Sequence, residues 1–313
     1  MHPRVTLGRS GLQVSPICFG TWQLSPHYWG DVPQEPIVAA VRAAFDLGVN
    51  FFDTADAYGN GLSETVLGSA LRELPRDQIV VATKAFWHFF PEPDKRNFPD
   101  LSGSYLAQAC DNSLQRLGLD YIDLYQCHSF DQLTPMHETV AALEKLVTAG
   151  KIRSYGVSNW SCEQMRLGHR HGSFATVQPP YSLLRRDIEA DVLPYCQSQN
   201  MGVLVYSPLQ KGLLTGKYKG EETFTDGRQR DAMFQGERFR NIAQRVAQAG
   251  EMAQRLGMST AQLILTATLA HPGVTCAIVG VKEPAHITEA AGAMSRSISR
   301  EDWYALRSLV HAG

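Results

Sequence analysis

The feature that most constrains this chain is a regular alternation of short apolar runs with longer amphipathic segments. The apolar runs are rich in β-branched and aromatic residues and do not alternate strictly with polar residues, which is typical of parallel strands buried on both faces. They lie at residues 17–20, 49–52, 79–83, 122–127, 152–157, 176–178, 203–206 and 275–279. Eight such units without a low-complexity linker predict a closed (β/α)8 TIM barrel of the α/β class.

Between the strands, apolar residues recur with helical period. These segments span residues 35–47, 63–71, 104–117, 135–149, 161–168 and 187–199. Residues 5–14, around Ser10-Gly11, predict an N-terminal β-hairpin that caps the N-terminal end of the barrel. The polar stretch 220–240 predicts a long loop after the seventh strand. We therefore expect residues 1–313 to form a single barrel domain with a long loop near residues 218–240.

An open doubly wound sheet is the rival fold, and it would need a Gly-x-Gly-x-x-Gly turn after the first strand. Gly59-Asn-Gly61 follows the second strand instead and has Glu64 in the place of the third glycine. The run from Gly212 to Lys217 resembles a phosphate loop, but it is one residue short and no Ser or Thr follows the lysine. Neither stretch predicts a nucleotide fingerprint.

The composition excludes several function classes. The chain has 29 Lys and Arg against 31 Asp and Glu, so no basic surface for nucleic acid or anionic membrane is expected. No apolar run is long enough to cross a bilayer, and the start lacks the apolar core of a signal peptide. Six scattered cysteines indicate reduced thiols in a soluble cytoplasmic protein. His169-Arg-His171 lacks further ligands at matching spacing, so no metal site is predicted.

Four polar residues lie where a barrel carries its chemistry, at the C-terminal ends of successive strands. Asp53 ends the second strand, Tyr58 follows it, Lys84 ends the third strand and His128 ends the fourth. Each residue taken singly has an ordinary structural explanation, such as a helix cap or a solvated lysine. Their coincidence on successive strands predicts a catalytic cluster.

Longer stretches around these residues resemble the aldo-keto reductase family. Residues 50–59, Asn-Phe-Phe-Asp-Thr-Ala-Asp-Ala-Tyr-Gly, followed by Ser63-Glu64, look like its signature. Residues 81–84, 150–159 and 205–217 are similar to its third-strand, fifth-strand and seventh-strand motifs, and the resemblance extends to about Gly292. It implies a (β/α)8 barrel that reduces aldehydes and ketones to alcohols with NAD(P)H, using the tetrad Asp53, Tyr58, Lys84 and His128.

The chemistry explains why those four residue types are needed. Hydride transfer to a carbonyl carbon leaves an alkoxide that must receive a proton, and Tyr58 is the expected general acid. A free tyrosine has a pKa of about 10, and we expect the Lys84 ammonium to lower it. Asp53 would keep Lys84 charged. His128 would either donate a hydrogen bond to the substrate carbonyl or relay the proton, and the sequence leaves both open.

The resemblance also implies where the cofactor binds. The family's hydrogen-bonding partners of the nicotinamide carboxamide correspond to Ser158, Asn159 and Gln178. Tyr206 looks like the residue that stacks on the nicotinamide ring, and Lys217 would add positive charge beside the phosphates. Phosphates in such barrels often lie at the loops after the seventh and eighth strands. The expected cofactor-binding residues are Gly20, Thr21, Trp22, Asp53, Ser158, Asn159, Gln178, Tyr206, Ser207, Pro208, Leu209, Gln210, Lys211, Gly212, Lys217, Gly280, Val281, Lys282 and His286.

Residues 277–290 depart from the family pattern. Val279 replaces a frequent proline, Glu283 a basic residue, His286 a glutamine and Ala290 an asparagine. Lys282 could still pair with the 2′-phosphate of NADP, whereas a Glu283 side chain that faced the phosphate would repel it. NADPH is therefore favoured, and NADH is possible.

The substrate is expected to be a small carbonyl compound, and the oligomeric state is not predicted. Aromatic residues that follow strand ends could wall its pocket: Trp22, Trp29, Phe86, Trp87, His88 and Trp160, with the loop 88–93 shaping specificity. Two other functions stay open. Lys84 could form a Schiff base in a lyase, or the chain could be a cofactor-binding regulatory subunit similar to potassium-channel β subunits.

Overall fold

The structure, a computed structural model, describes residues 4–88 and 97–311. Its strands, in chain order, are β1 (Val5–Thr6), β2 (Gln13–Val14), β3 (Ile17–Gly20), β4 (Phe51–Asp53), β5 (Val80–Ala85), β6 (Trp87–His88), β7 (Phe98–Pro99), β8 (Ile122–Cys127), β9 (Ile152–Ser158), β10 (Thr176–Gln178), β11 (Gly202–Tyr206) and β12 (Cys276–Gly280). Its α-helices are α1 (Pro26–Trp29), α2 (Glu35–Asp46), α3 (Leu62–Leu71), α4 (Gly103–Leu117), α5 (Met136–Thr148), α6 (Cys162–Gly168), α7 (Val192–Ser198), α8 (Gly236–Arg255), α9 (Thr260–Leu269), α10 (Pro284–Ala291) and α11 (Arg300–His311).

The predicted closed barrel is confirmed. Its strands follow the order β3-β4-β5-β8-β9-β10-β11-β12, each parallel to its neighbours, and β12 pairs with β3 to close the ring. Nearly every side chain of these strands is buried, which explains their continuous apolar character. Because all strands run the same way, their C-terminal ends meet at one end of the barrel, where Asp53, Tyr58 and His128 lie.

The predicted N-terminal hairpin is also present, with β1 and β2 antiparallel. Leu7 and Val14 belong to the same apolar cluster as Cys18, Phe51 and Leu204 of the barrel strands. A side chain at Gly202, where β11 begins, would overlap Leu7. The hairpin therefore plugs the N-terminal end of the barrel, away from the strand ends that carry the polar residues.

The segment predicted as a loop to residue 240 ends earlier than expected. It contains two 3-10 turns, at Gly227–Arg230 and Ala232–Phe234, and α8 begins at Gly236. Phe239, Ile242 and Val246 of α8 are buried in a second apolar core beside α9 and α11. The prediction placed residues 236–240 in the loop because charged residues surround the single apolar residue there, Phe239.

Helices α6 and α9 begin at recognisable sequence signals. Ser161 and Ser259 each form a capping box with the glutamine three residues later.

After the C-terminal end of β5, the short strands β6 and β7 pair antiparallel beside the barrel mouth. Residues 89–93 of the predicted specificity loop lie outside the described residues. Within residues 4–88 and 97–311, no helix has the length and apolar character needed to span a membrane.

Candidate active site

A buried ion pair lies at the centre of the C-terminal end of the barrel. Lys84 Nζ donates to Asp53 Oδ1 over 2.7 Å and to the carbonyl oxygen of Thr54 over 2.7 Å. The Lys84 side chain is fully buried, and burial of an ammonium ion by itself lowers its pKa. The neighbouring Asp53 and Tyr58 outweigh this effect of burial, so the pKa of Lys84 is raised. Lys84 is therefore protonated at neutral pH.

Tyr58 lies against this cation and beside His128. Lys84 Nζ is 5.2 Å from the centre of the Tyr58 ring, and the rings of Tyr58 and His128 meet edge to face at 5.7 Å. Burial raises the pKa of Tyr58, and the opposing effect of Lys84 does not offset it, so the net shift is upward. The expected effect of Lys84 is present, because its charge lowers the pKa of Tyr58, but the larger effect of desolvation, which the sequence does not reveal, raises the pKa overall. Tyr58 is a neutral phenol at neutral pH, with its proton available.

His128 is also neutral. Its burial, together with the nearby Lys84 charge, lowers the pKa of His128 to about 3. Its Nδ1 is buried and has no hydrogen-bond partner among the described residues. Asn159 Nδ2 donates to the carbonyl oxygen of His128 over 3.0 Å, which fixes the backbone there. The neutral imidazole can donate its one N–H to a ligand, but its other nitrogen is unprotonated at neutral pH.

The second oxygen of Asp53 contacts two glutamines. Gln178 Nε2 donates to Asp53 Oδ2 over 2.8 Å, and Gln126 Nε2 makes a longer contact of 3.5 Å to the same oxygen. Gln178 was predicted to bind the cofactor, whereas Gln126 was missed. Gln126 precedes His128 by two residues, so both face the same side of the chain where β8 ends. That spacing is the signal that could have identified it.

A cleft of about 440 Å³ runs from the tetrad across the ends of β9 to β12 and β3. Most of the predicted cofactor-binding residues line it: Gly20, Thr21, Trp22, Asp53, Ser158, Asn159, Gln178, Tyr206, Ser207, Pro208, Leu209, Lys211, Gly212, Lys217, Gly280, Lys282 and His286. Gln210 and Val281 are buried behind its wall, and Gln210 accepts a long hydrogen bond from Ser182. The prediction missed lining residues that include Gln23, Thr215, Arg228 and Glu289.

At the inner end of the cleft, the polar side chains are held in place by one another. Ser158 Oγ donates to the carbonyl oxygen of Gln178 over 2.8 Å, and the Tyr206 hydroxyl donates to Asn159 Oδ1 over 2.9 Å. Asn159 has a φ of 60°, a left-handed conformation that asparagine tolerates better than most residues. This end is preorganised for a planar polar ligand beside the Tyr206 ring.

The outer end of the cleft is cationic. Lys217, Arg228 and Lys282 converge there, and Asp226 holds Arg228 at 2.6 Å. Arg228 and Lys282 both face the Trp29 ring, at 5.7 and 4.6 Å from its centre. Burial, then the neighbouring Arg228, lowers the pKa of Lys282. An anion placed among these cations would relieve their repulsion.

Glu283, which could have repelled such an anion, lies 3.5 Å from His286 Nε2. Its side chain is more than half exposed and is turned along α10 toward that histidine. The predicted aromatic wall is only partly assembled. Trp22 and Trp29 line the cleft, whereas Trp160 is buried against Phe130.

The remaining members of that wall lie to one side of the barrel mouth. Phe86 packs against Trp87, and His88 bonds to Asp100 over 2.9 Å. The described part of the chain holds no group of three or more His, Cys, Asp or Glu side chains that could bind a metal ion.

A parallel eight-stranded barrel with Asp, Tyr, Lys and His around one end of a long, partly cationic cleft defines a class, the barrel oxidoreductases that act on carbonyl groups. The chain matches the Aldo/keto reductase family over residues 16–311 and belongs to that family. It is similar to the aldo-keto reductase YhdN of Bacillus subtilis, with 36% identity over 301 residues that cover 95% of this chain and 90% of the relative.

Two further relatives bear on the cofactor. The NADH-specific methylglyoxal reductase of Escherichia coli is 31% identical over 321 residues, covering 99% of this chain and 98% of the relative. The structure of an aldo/keto reductase from Klebsiella pneumoniae in complex with NADP and acetate has a TM-score of 0.77 and 34% identity, covering 99% of this chain and 96% of the other.

Proposed function

We propose that this chain, as a single barrel domain in the cytoplasm, reduces a small aldehyde or ketone with NADPH, and that Tyr58 donates the proton. The observation that carries the proposal is a partly buried, neutral Tyr58 phenol that lines the cleft beside the protonated Lys84. The bound cofactor supplies the hydride. As charge develops on the carbonyl oxygen, the Lys84 ammonium favours the tyrosinate that remains after proton transfer.

His128 has the orienting role in this proposal. A pKa of about 3 leaves almost no imidazolium at neutral pH, so His128 is poorly suited to be the acid that protonates the substrate. A neutral imidazole N–H next to Tyr58 would instead hold the substrate oxygen within reach of the phenol. Of the two roles left open by the sequence, the low pKa favours this one.

The chemistry of the cleft fits a dinucleotide. Ser158, Asn159 and Gln178 would hold a carboxamide, Tyr206 would stack on the nicotinamide ring, and Lys217 would stabilise the phosphates. Arg228 and Lys282 form the outer cationic site, which would take a 2′-phosphate, and Glu283 lies outside the cleft lining, 3.5 Å from His286 Nε2. These features support NADPH over NADH. The relatives include a protein named for NADH and a structure with NADP, so the preference has to be measured.

The cofactor test compares NADPH and NADH dissociation constants in wild type and Arg228→Gln. We expect the variant to weaken NADPH binding roughly tenfold, because a charged hydrogen bond is worth about 1.5–3 kcal/mol before solvent screening, and to leave NADH binding unchanged. Arg72→Gln, an exposed arginine at the end of α3, removes the same charge away from the cleft and is the matched control. Equal losses for both cofactors would contradict the 2′-phosphate site.

The test of the reaction is a spectrophotometric screen of NADPH oxidation against aldehydes, ketones and sugars. With an active substrate, Tyr58→Phe is expected to lower kcat by ~10²–10⁴, because it removes the acid while keeping the ring. The exposed Tyr304→Phe is the control. Near-native turnover in Tyr58→Phe would refute the assignment. NADPH binding without reduction of any compound would favour a regulatory subunit instead.

A Schiff-base lyase fits the structure poorly. The nucleophile in that chemistry is a neutral amine, whereas Lys84 is protonated, fully buried and bonded to Asp53 and Thr54. Borohydride trapping in the presence of an active carbonyl compound is expected to leave no covalent adduct on Lys84.

A further inference from the structure

The contacts of Asp53 extend beyond the lysine that it neutralises. One of its oxygens is taken by Lys84 Nζ, and the other lies 2.8 Å from the terminal amide of Gln178. A carboxylate oxygen can only accept, so the atom of Gln178 that faces Asp53 must be its nitrogen. That assignment follows from charge alone.

Gln126 gives an independent reason for the same orientation. Gln126 Nε2 lies 3.5 Å from Asp53 Oδ2, an oxygen that can only accept a hydrogen bond. The oxygen of the Gln126 amide is therefore directed to Gln178 Nε2, also at 3.5 Å. Both N–H groups of the Gln178 amide are thus directed at acceptors inside the barrel. The carbonyl oxygen is the part of the amide left for a ligand in the cleft, which Gln178 lines.

We infer that Asp53 is a positioning residue for cofactor recognition, because its charge fixes Gln178 with the amide oxygen toward the cleft. The site then demands a hydrogen-bond donor from the nicotinamide 3-substituent, which a carboxamide has and a methyl ketone lacks. This inference rests on the proposed nicotinamide cofactor. It gives one carboxylate two tasks: it holds the Lys84 cation and sets the hydrogen-bond polarity of the neighbouring subsite.

The experiment measures binding and not turnover. Dissociation constants are determined for NADP⁺ and its 3-acetylpyridine analogue by quenching of tryptophan fluorescence, since Trp22 and Trp29 line the cleft. In wild type we expect the analogue to bind roughly tenfold more weakly, the cost of leaving one buried acceptor unpaired. In Asp53→Asn the single side-chain oxygen stays on Lys84 and the amide nitrogen faces Gln178, so Gln178 turns its own nitrogen toward the cleft and the ratio should fall to about two or below.

Four further variants isolate the effect. Asp53→Asn combined with Lys84→Met removes both buried charges together, and it should show the same reduced ratio if the single variant fails to fold. Gln126→Met leaves the Asp53 charge in place and should keep most of the discrimination. Gln178→Met should abolish the discrimination, and adding Asp53→Asn to it should change nothing more.

The outcomes are separable. A ratio in Asp53→Asn equal to that of wild type, or an additive effect in the Gln178→Met background, overturns the inference while the cofactor assignment stands. Tyr58→Phe should keep the wild-type ratio, so a loss of discrimination there would also overturn it. If wild type binds neither nucleotide, the proposed function itself fails.

Discussion

The neutral, partly buried His128 leads to a prediction about stability that can be tested without a substrate. Its pKa is about 3 in the folded protein and 6.5 in an exposed histidine. Between those values the unfolded chain binds a proton that the folded chain does not, so the free energy of unfolding falls as the pH is lowered through that range. One pKa unit corresponds to about 1.4 kcal/mol. From pH 7.5 to pH 5, His128 should therefore remove about 2 kcal/mol of stability.

The assay is urea unfolding followed by tryptophan fluorescence at both pH values. Other titrating groups change stability too, so the quantity of interest is the difference between wild type and His128→Gln, which cannot take up the proton. The variant should lose about 2 kcal/mol less than wild type on acidification. His137→Gln, at an exposed position, is the matched control and should behave as wild type. Equal losses in wild type and His128→Gln would show that His128 is not held neutral by burial.

Two other perturbations follow from close contacts in the structure. Lys84→Met should cost about 3–5 kcal/mol in urea unfolding, because it leaves the Asp53 carboxylate buried without its partner, and adding Asp53→Asn should restore most of that loss; a fully stable Lys84→Met would contradict the buried ion pair. Gly227→Ala should raise the NADPH dissociation constant roughly fivefold while the Tm changes little, because a Cβ there would overlap the Tyr28 ring and displace the segment that carries Arg228. Unchanged binding would show that this segment adapts without moving Arg228.

The tetrad was predictable because it depends on a rule of the fold. In a parallel barrel the C-terminal ends of all strands lie at one end of the barrel. The position of Asp53, Lys84 and His128 at strand ends was therefore enough to predict that they lie close together. The eight strands were predictable for a related reason, since burial on both faces leaves continuous apolar runs.

What escaped prediction depends on distances that the sequence does not encode. The net direction of the Tyr58 pKa is a balance between burial and the charge of Lys84, and only coordinates weigh one against the other. Arg228 lies in an irregular, polar stretch where no periodicity indicates which side chain turns inward. Gln126 looked like one more polar residue in a buried strand, and its role emerges only when Asp53 and Gln178 are seen on either side of it.

Arg228 reaches the cleft from the segment between β11 and α8, which contributes no strand to the barrel and no member to the tetrad. A change in that segment alters the charge at the outer end of the cleft without disturbing strand pairing, the buried ion pair or Tyr58. With the proposed 2′-phosphate site, cofactor preference can therefore change while the barrel and the Asp53–Lys84 pair stay intact. A laboratory selection for use of NADH in place of NADPH should accumulate its first substitutions between residues 218 and 235 and at Lys282.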